Sequence, residues 1–233
     1  MDIQKLKDII GQDLLALKRQ SFDPKAWSMD EIMEGVTEVG RLIVPNFTID
    51  RNNRFVYENL IYWLFADERM RCYDLEGKLI KGDPRKGIYL AGTTGTGKTI
   101  ATEVMVKMAY AIGIKIKVGD NTPTLLKWKN IRADEVVNYY VHNGECDDIK
   151  KETVICFQDL GTESLEALYM GNRVNVMRRI LEYRGDRRDK MTLITSNLLP
   201  GDRELHERYG DRVVSRLSAM CNILVMNGPD RRL

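Results

Sequence analysis

The stretch Ile88-Tyr89-Leu90-Ala91-Gly92-Thr93-Thr94-Gly95-Thr96-Gly97-Lys98-Thr99-Ile100 decides the fold. Ile88 to Ala91 reads as a short apolar strand that runs into a glycine loop. Gly92 to Thr99 matches GxxxxGK[ST] at each required position, and residues 98–111 read as a helix, so the motif sits in the strand–loop–helix context it needs. The residue types explain themselves chemically. Glycines let successive backbone N–H groups turn inward and form a nest for phosphate oxygens. The start of the helix adds the positive end of its dipole. Lys98 supplies a point charge for the β and γ phosphates, and the Thr99 hydroxyl is a ligand for Mg²⁺. The competing reading, a glycine-rich turn, leaves the flanking strand and helix unexplained.

Working outward, strand and helix signals alternate. Residues 114–118, Ile-Lys-Ile-Lys-Val, read as a second strand, 133–141 as a helix, and 154–157 as a third strand with no polar interruption. Residues 173–183 read as helix, 192–196 as a fourth strand, 204–220 as mostly helix and 223–226 as a fifth strand. This alternation predicts an α/β fold with a parallel sheet covered by helices on both faces. The first 70 residues read as a small helical N-terminal region. Ile3, Leu6, Ile9, Ile10, Leu14 and Leu17 fall near helical spacing, Ser28 and Glu31 fit a capping box, and residues 55–65 form a third apolar stretch. The predicted division is 1–70 and 71–233, with residues 75–86 the most linker-like.

Composition sets the broader limits. The chain has 233 residues, 43% of them hydrophobic and 30% charged, enough for one sizeable core with a solvated surface. A net charge of +2 does not by itself call for a nucleic-acid partner. Cys72, Cys146, Cys156 and Cys221 form no CxxC pair, which argues against zinc and for reduced thiols in a cytoplasmic protein. No signal peptide or membrane-length apolar run is present in the sequence.

A P-loop ATPase needs an acid at the tip of a neighbouring strand. Residues 154–157 are followed by Gln158-Asp159-Leu160-Gly161, which makes Asp159 the candidate. With this segment the chain resembles a known family. "KGIYLAG" before the loop, "FQDLGTE", "LITSNL" and "YGDRVVSRL" are similar to the AAA+ P-loop NTPases of the helicase-loader (DnaC) and transposition-helper (IstB) group, from about residue 86 onward.

The resemblance implies ATP and Mg²⁺ as cofactors, with nucleotide bound along Gly92, Thr93, Thr94, Gly95, Thr96, Gly97, Lys98, Thr99 and Ile100. It implies Thr99 and Asp159 at the metal, Asp159 and Asn197 handling the attacking water, and Arg216 reaching a neighbouring subunit's site, so that ATP hydrolysis needs self-oligomers. Arg212 shares Arg216's helix face, and Arg231 or Arg232 stands where a second sensor arginine is sought. The family carries two acids where this chain has Gln158 and Asp159. A neutral side chain at position 158 should weaken Mg²⁺ and slow hydrolysis more than nucleotide binding. A one-residue slip would instead give Asp159 to the metal, with Glu163 nearby.

The resemblance also implies DNA replication as the process, a replicative helicase or a transposase as partner, and single-stranded DNA as ligand. Lys127-Trp128-Lys129-Asn130-Ile131-Arg132 interleaves basic residues with an aromatic, as single-strand binders do, and makes Lys127, Lys129 and Arg132 the candidate DNA contacts. It falls where the group carries a helical insertion facing DNA. Arg178, Arg179, Arg184, Arg187, Arg188 and Lys190 form a second basic cluster; a solvated face is the plainer reading of both. Three other functions stay open: a transposition helper, a small-molecule kinase, and a nucleotide-locked switch or scaffold, which Gln158 favours.

Overall fold

The computed structural model describes residues 17–19, 27–118 and 122–232. The chain begins with β1 (Leu17–Arg19), α1 (Met29–Arg41) and α2 (Arg54–Leu64), then the hairpin β2 (Arg71–Tyr73) and β3 (Leu79–Lys81). β4 (Gly87–Ala91) leads through the glycine loop into α3 (Lys98–Ala111). A second hairpin, β5 (Lys115–Val118) and β6 (Thr124–Leu125), precedes β7 (Lys129–Arg132), α4 (Ala133–Asn143), α5 (Asp147–Lys151) and β8 (Val154–Leu160). Next come β9 (Ala167–Tyr169), β10 (Asn172–Val174), α6 (Val176–Gly185) and β11 (Met191–Ser196). The described chain closes with α7 (Arg203–Tyr209), α8 (Asp211–Met220) and β12 (Cys221–Val225).

Seven strands form the main sheet in the order β3-β2-β12-β4-β11-β8-β7. β12, β4, β11, β8 and β7 are parallel, and β2 and β3 add an antiparallel margin. The central strands are apolar on both faces because helices cover both. Alternate residues feed two cores. Ile88, Leu90, Cys156, Leu193 and Leu224 face α1, α2 and α3, while Tyr89, Phe157, Ile194 and Ile223 face α4, α6, α7 and α8.

The expected second strand of this sheet is a correction. Residues 115–118 do not join it; β5 pairs antiparallel with β6 and with β1 in a separate three-stranded sheet. β7 takes the place beside β8 instead. The reason lies in the pattern Ile114-Lys115-Ile116-Lys117. Ile114 and Ile116 are buried and Lys115 is exposed, the strict alternation of a strand wet on one face. β7 is an edge strand, so Ile131 is its one buried residue and its apolar signal is weak. The helix expected over 204–220 is likewise two helices, broken at Gly210, whose φ of 80° lies in the left-handed region.

Leu17 falls in β1 rather than in a helix, and the rest of the apolar stripe from Ile3 to Leu14 lies outside the described residues. α1 starts as its sequence predicts. Ser28 Oγ accepts from Glu31 N–H at 3.3 Å and Glu31 Oε2 accepts from Ser28 N–H at 2.6 Å, a reciprocal cap worth about 1 kcal/mol. Residues 27–70 have no core of their own: Val36, Phe47, Val56, Leu60 and Trp63 pack in the same cluster as Ile88 and Leu90 of the sheet. Trp63 is fully buried and donates Nε1–H to Lys86 O at 2.7 Å. The packing therefore shows no break at residue 70. No helix among the described residues is long and apolar enough to cross a membrane.

Candidate functional site

The site is built at the carboxyl ends of β4, β8 and β11. β4 ends at Ala91, and Gly92 turns the chain with φ 150°; a Cβ there would lie 2.0 Å from Met226 O. Gly95 and Gly97 hold φ values of 81° and 97°, conformations that side chains resist. Gly97 caps α3, so the helix opens with unsatisfied N–H groups facing the loop. Together these features form a cradle for phosphate oxygens.

Lys98 is buried and points back across the loop. Its Nζ donates to Gly92 O at 2.8 Å, Thr93 O at 2.7 Å and Asn197 Oδ1 at 2.9 Å. Burial pushes its pKa below the usual lysine value; the nearby Asp159 opposes this and Arg232 adds to it. Asn197 follows β11 directly, and its Nδ2 donates to Thr94 Oγ1 at 3.3 Å. The structure thus brings Lys98, Thr99, Asp159 and Asn197 to the wall of one cavity of about 910 Å³. That is a size suited to a nucleotide-scale ligand.

β8 carries Gln158 and Asp159 to this cavity. Asp159 has φ 55° and is fixed on both sides of its peptide: its N–H donates to Thr195 Oγ1 at 3.0 Å, and its carbonyl accepts from Thr162 Oγ1 at 2.8 Å. Its Oδ2 accepts from Arg132 Nη1 at 3.3 Å. Gln158 is 7% exposed, and its Nε2 lies 3.5 Å from Thr102 Oγ1, the outer limit of a hydrogen bond. The idea that Glu163 assists the metal is overturned. Its carboxylate is buried away from the cavity, accepting from Gly161 N–H at 2.8 Å and from the Tyr209 hydroxyl.

Mg²⁺ demands hard oxygen ligands in near-octahedral array. The chain offers the Thr99 hydroxyl and one carboxylate, Asp159, already paired with Arg132. The residue beside it is a neutral amide turned towards Thr102. Among the described residues no group of three or more His, Cys, Asp or Glu is placed to hold a metal. With its one carboxylate tied to Arg132 and a neutral amide beside it, the chain itself grips a divalent ion weakly and leaves most of its coordination to phosphate oxygens and water.

Other expected residues are dispersed. Arg216 lies on α8, its Nε 2.9 Å from Asp186 Oδ1 and its side chain 17% exposed, away from the cavity; Arg212 on the same helix is exposed. Lys127 and Lys129 line a different cleft of about 690 Å³ with Glu152 and Asp189. Trp128 is not a free stacking platform: it is buried, and its ring meets Trp63 edge-on at 5.9 Å. Nor is this stretch a helical insertion, since β7 runs straight into α4. The second basic cluster loses Arg184 and most of Lys190 to burial, while Arg178, Arg179, Arg187 and Arg188 stay exposed. Arg184 is a structural residue, 1% exposed, donating to Thr192 Oγ1, Lys150 O, Glu152 O and Met191 O, with its pKa pushed down to about 10 by burial. Arg178 pairs with Glu182, and Arg187 sits over the Tyr183 ring.

Arg231 and Arg232, the candidates in the sequence for a second sensor, line the cavity, and so does Arg132, a candidate DNA contact. Arg132 faces Asp159 because β7 lies beside β8, with Arg132 opposite Gln158 in register. Phe47, Thr48 and Tyr57 close the cavity from the α1–α2 side, and residues 229–232 cross the loop, with Arg231 N–H donating to Gly95 O at 2.9 Å. Arg231 Nη2 also reaches Asp50 Oδ2 at 2.8 Å. No short motif marks these contacts, which join segments far apart in sequence.

The sequence matches no protein-family model and no curated protein sequence. Among solved structures, one provisionally assigned as a primosome component from Streptococcus pyogenes serotype M3 aligns with a TM-score of 0.51 and 17% identity, covering 78% of this chain and 84% of that one. The DnaC helicase loader gives 0.49 and 18%, covering 79% and 95%, and AMPPCP-bound DnaA from Aquifex aeolicus gives 0.46 and 18%, covering 81% and 51%. With its glycine loop between β4 and α3 and its site at the ends of parallel strands, the chain has a P-loop α/β fold, a parallel sheet flanked by helices with a small helical N-terminal region.

Proposed function

We propose that this chain is an ATP-binding AAA+ ATPase that acts in DNA replication in the manner of a helicase loader. The observation that carries the reading is the convergence of Lys98, Asn197 and Asp159 on the glycine loop. Lys98 now satisfies its ammonium on loop carbonyls. A triphosphate would replace those carbonyls with stronger, charge-assisted partners. Asn197 would orient the attacking water and Asp159 would accept its proton. Arg216 would leave Asp186 and act on a neighbouring subunit's nucleotide. Lys127 and Lys129 are the proposed contacts to single-stranded DNA, with a helicase as the DNA-bound partner and the cytoplasm as the setting.

The test is ATP binding and phosphate release on one sample, with and without single-stranded DNA, alongside mass in solution. The expected result is tight binding, weakened more than about tenfold by Lys98→Ala, with DNA-stimulated release from a multimer. A chain that binds no nucleotide sinks the reading.

One observation favours a second reading, a nucleotide-held switch with little turnover: Asp159 is ion-paired and its neighbour is the neutral Gln158. Binding without release, cured by Gln158→Asp, would favour that reading. Release from the natural chain that keeps pace with Gln158→Asp would exclude it.

A further inference from the structure

A bound triphosphate brings several negative charges into a half-closed cavity, and something must offset them. In most phosphate-loop sites a divalent ion shares that task, held in place by an acid at the end of the neighbouring strand. Here the first of the two acidic positions is the neutral Gln158, the second, Asp159, is paired with Arg132, and cations gather beside them. Lys98, Arg132, Arg231 and Arg232 all line the cavity.

Their partners divide them. Arg231 is committed to Asp50. Arg132 is shared between Asp134 and Asp159, in contacts of 3.0 and 3.3 Å, and its side chain remains 47% exposed. Lys98 touches two carbonyls and one amide oxygen, and no carboxylate among its hydrogen-bond partners. The Arg232 side chain is exposed and in no ion pair among the described residues; its backbone N–H donates to Asp230 Oδ1 at 2.9 Å. Arg232 stands close enough to Lys98 for the two positive charges to repel. Asp159 offsets part of this charge but is itself paired with Arg132, so two like charges share one cavity in an arrangement that an anionic ligand would relieve. The amino end of α3 adds positive potential at the same place.

We infer that this site takes a nucleoside triphosphate without Mg²⁺, the phosphate charge being met by Lys98, Arg132 and Arg232 in place of the ion. The inference rests on the reading of the cavity as an ATP site, and goes beyond it. Arginine suits this task because its planar fork binds phosphate oxygens in pairs and keeps its charge at any accessible pH. The neutral amide at position 158 then has a purpose. A carboxylate there would repel a bare triphosphate, and glutamine keeps the volume without the charge.

The experiment is calorimetric titration of ATP into the full chain in EDTA and, separately, in millimolar Mg²⁺. Expected dissociation constants agree to within about threefold. Gln158→Asp should weaken binding in EDTA by about tenfold and recover it when Mg²⁺ is added, the conversion of one charge contact near 1.4 kcal/mol into affinity. Arg232→Ala should lose about tenfold in EDTA and less in Mg²⁺, whereas a residue of merely structural importance would lose equally in both. Because Arg232 is exposed, this variant reports even if the buried Gln158 variant misfolds. Binding in Mg²⁺ that falls about a hundredfold or more in EDTA overturns the inference while leaving the ATP reading intact. Failure to bind in either solution overturns both.

Discussion

The glycine loop between β4 and α3 and the segment 112–128 between α3 and β7 both connect the same helix to the same sheet, and they are held by different forces. In the loop, Gly92, Gly95 and Gly97 occupy left-handed or near-left-handed backbone that few other residues tolerate, and Lys98 closes the turn onto its own carbonyls. The geometry is set within eight residues. In the second segment the chain first forms β5 and β6, which pair with each other and with β1, and only then enters the main sheet as β7. What fixes it there is contact at long range: Trp128 on Trp63, and β7 beside β8. The difference teaches that a motif built from backbone conformation carries its geometry in a short stretch of sequence, whereas an edge strand is defined by its neighbours.

The sharpest way to break this contrast is Trp128→Ala. If the tryptophan is a core residue, its loss should cost about 3–5 kcal/mol in denaturant unfolding. Little change in stability together with weaker binding of single-stranded DNA would restore the stacking role read from its basic neighbours. Next in size is Gly92→Ala. Its new Cβ would press on Met226 O at 2.0 Å, and we expect a loss of about 2–3 kcal/mol and of ATP affinity, both read from thermal melts with and without nucleotide. An unchanged melting temperature would mean that the loop relaxes freely. The smallest effect is expected from Lys127→Ala with Lys129→Ala. Stability should change by less than about 0.5 kcal/mol, while the salt slope of single-stranded DNA binding should fall by about 0.7 per lysine that contacts phosphate. An unchanged slope would remove these lysines from the DNA surface.

Legibility follows the same division. The reading of residues 154–157 as a buried strand ending near Gln158 and Asp159 agrees with β8, because a central strand is apolar on both faces and advertises itself. The reading of 115–118 as its neighbour failed because lysines alternate with isoleucines there, the mark of a half-wet strand that can pair in more than one sheet. Arg132 was legible as a basic residue near an aromatic, but its pairing with Asp159 was not, since it depends on which strand lies beside β8. Arg184 looked like part of a basic surface, yet it is satisfied by carbonyl oxygens from two other segments. Charge in a sequence says nothing of whether such acceptors converge upon it.

By itself, then, the sequence determined the glycine cradle, the central strands and the type of sheet, since these depend on φ angles, apolar runs and spacings that short segments carry with them. The tertiary structure alone decided the neighbour of β8, the pairing of Arg132 with Asp159, the turning of Gln158 towards Thr102, and the crossing of residues 229–232 over the loop. Those contacts close between segments distant in the chain, and their free energy comes from burial and charge that exist only after the segments have met.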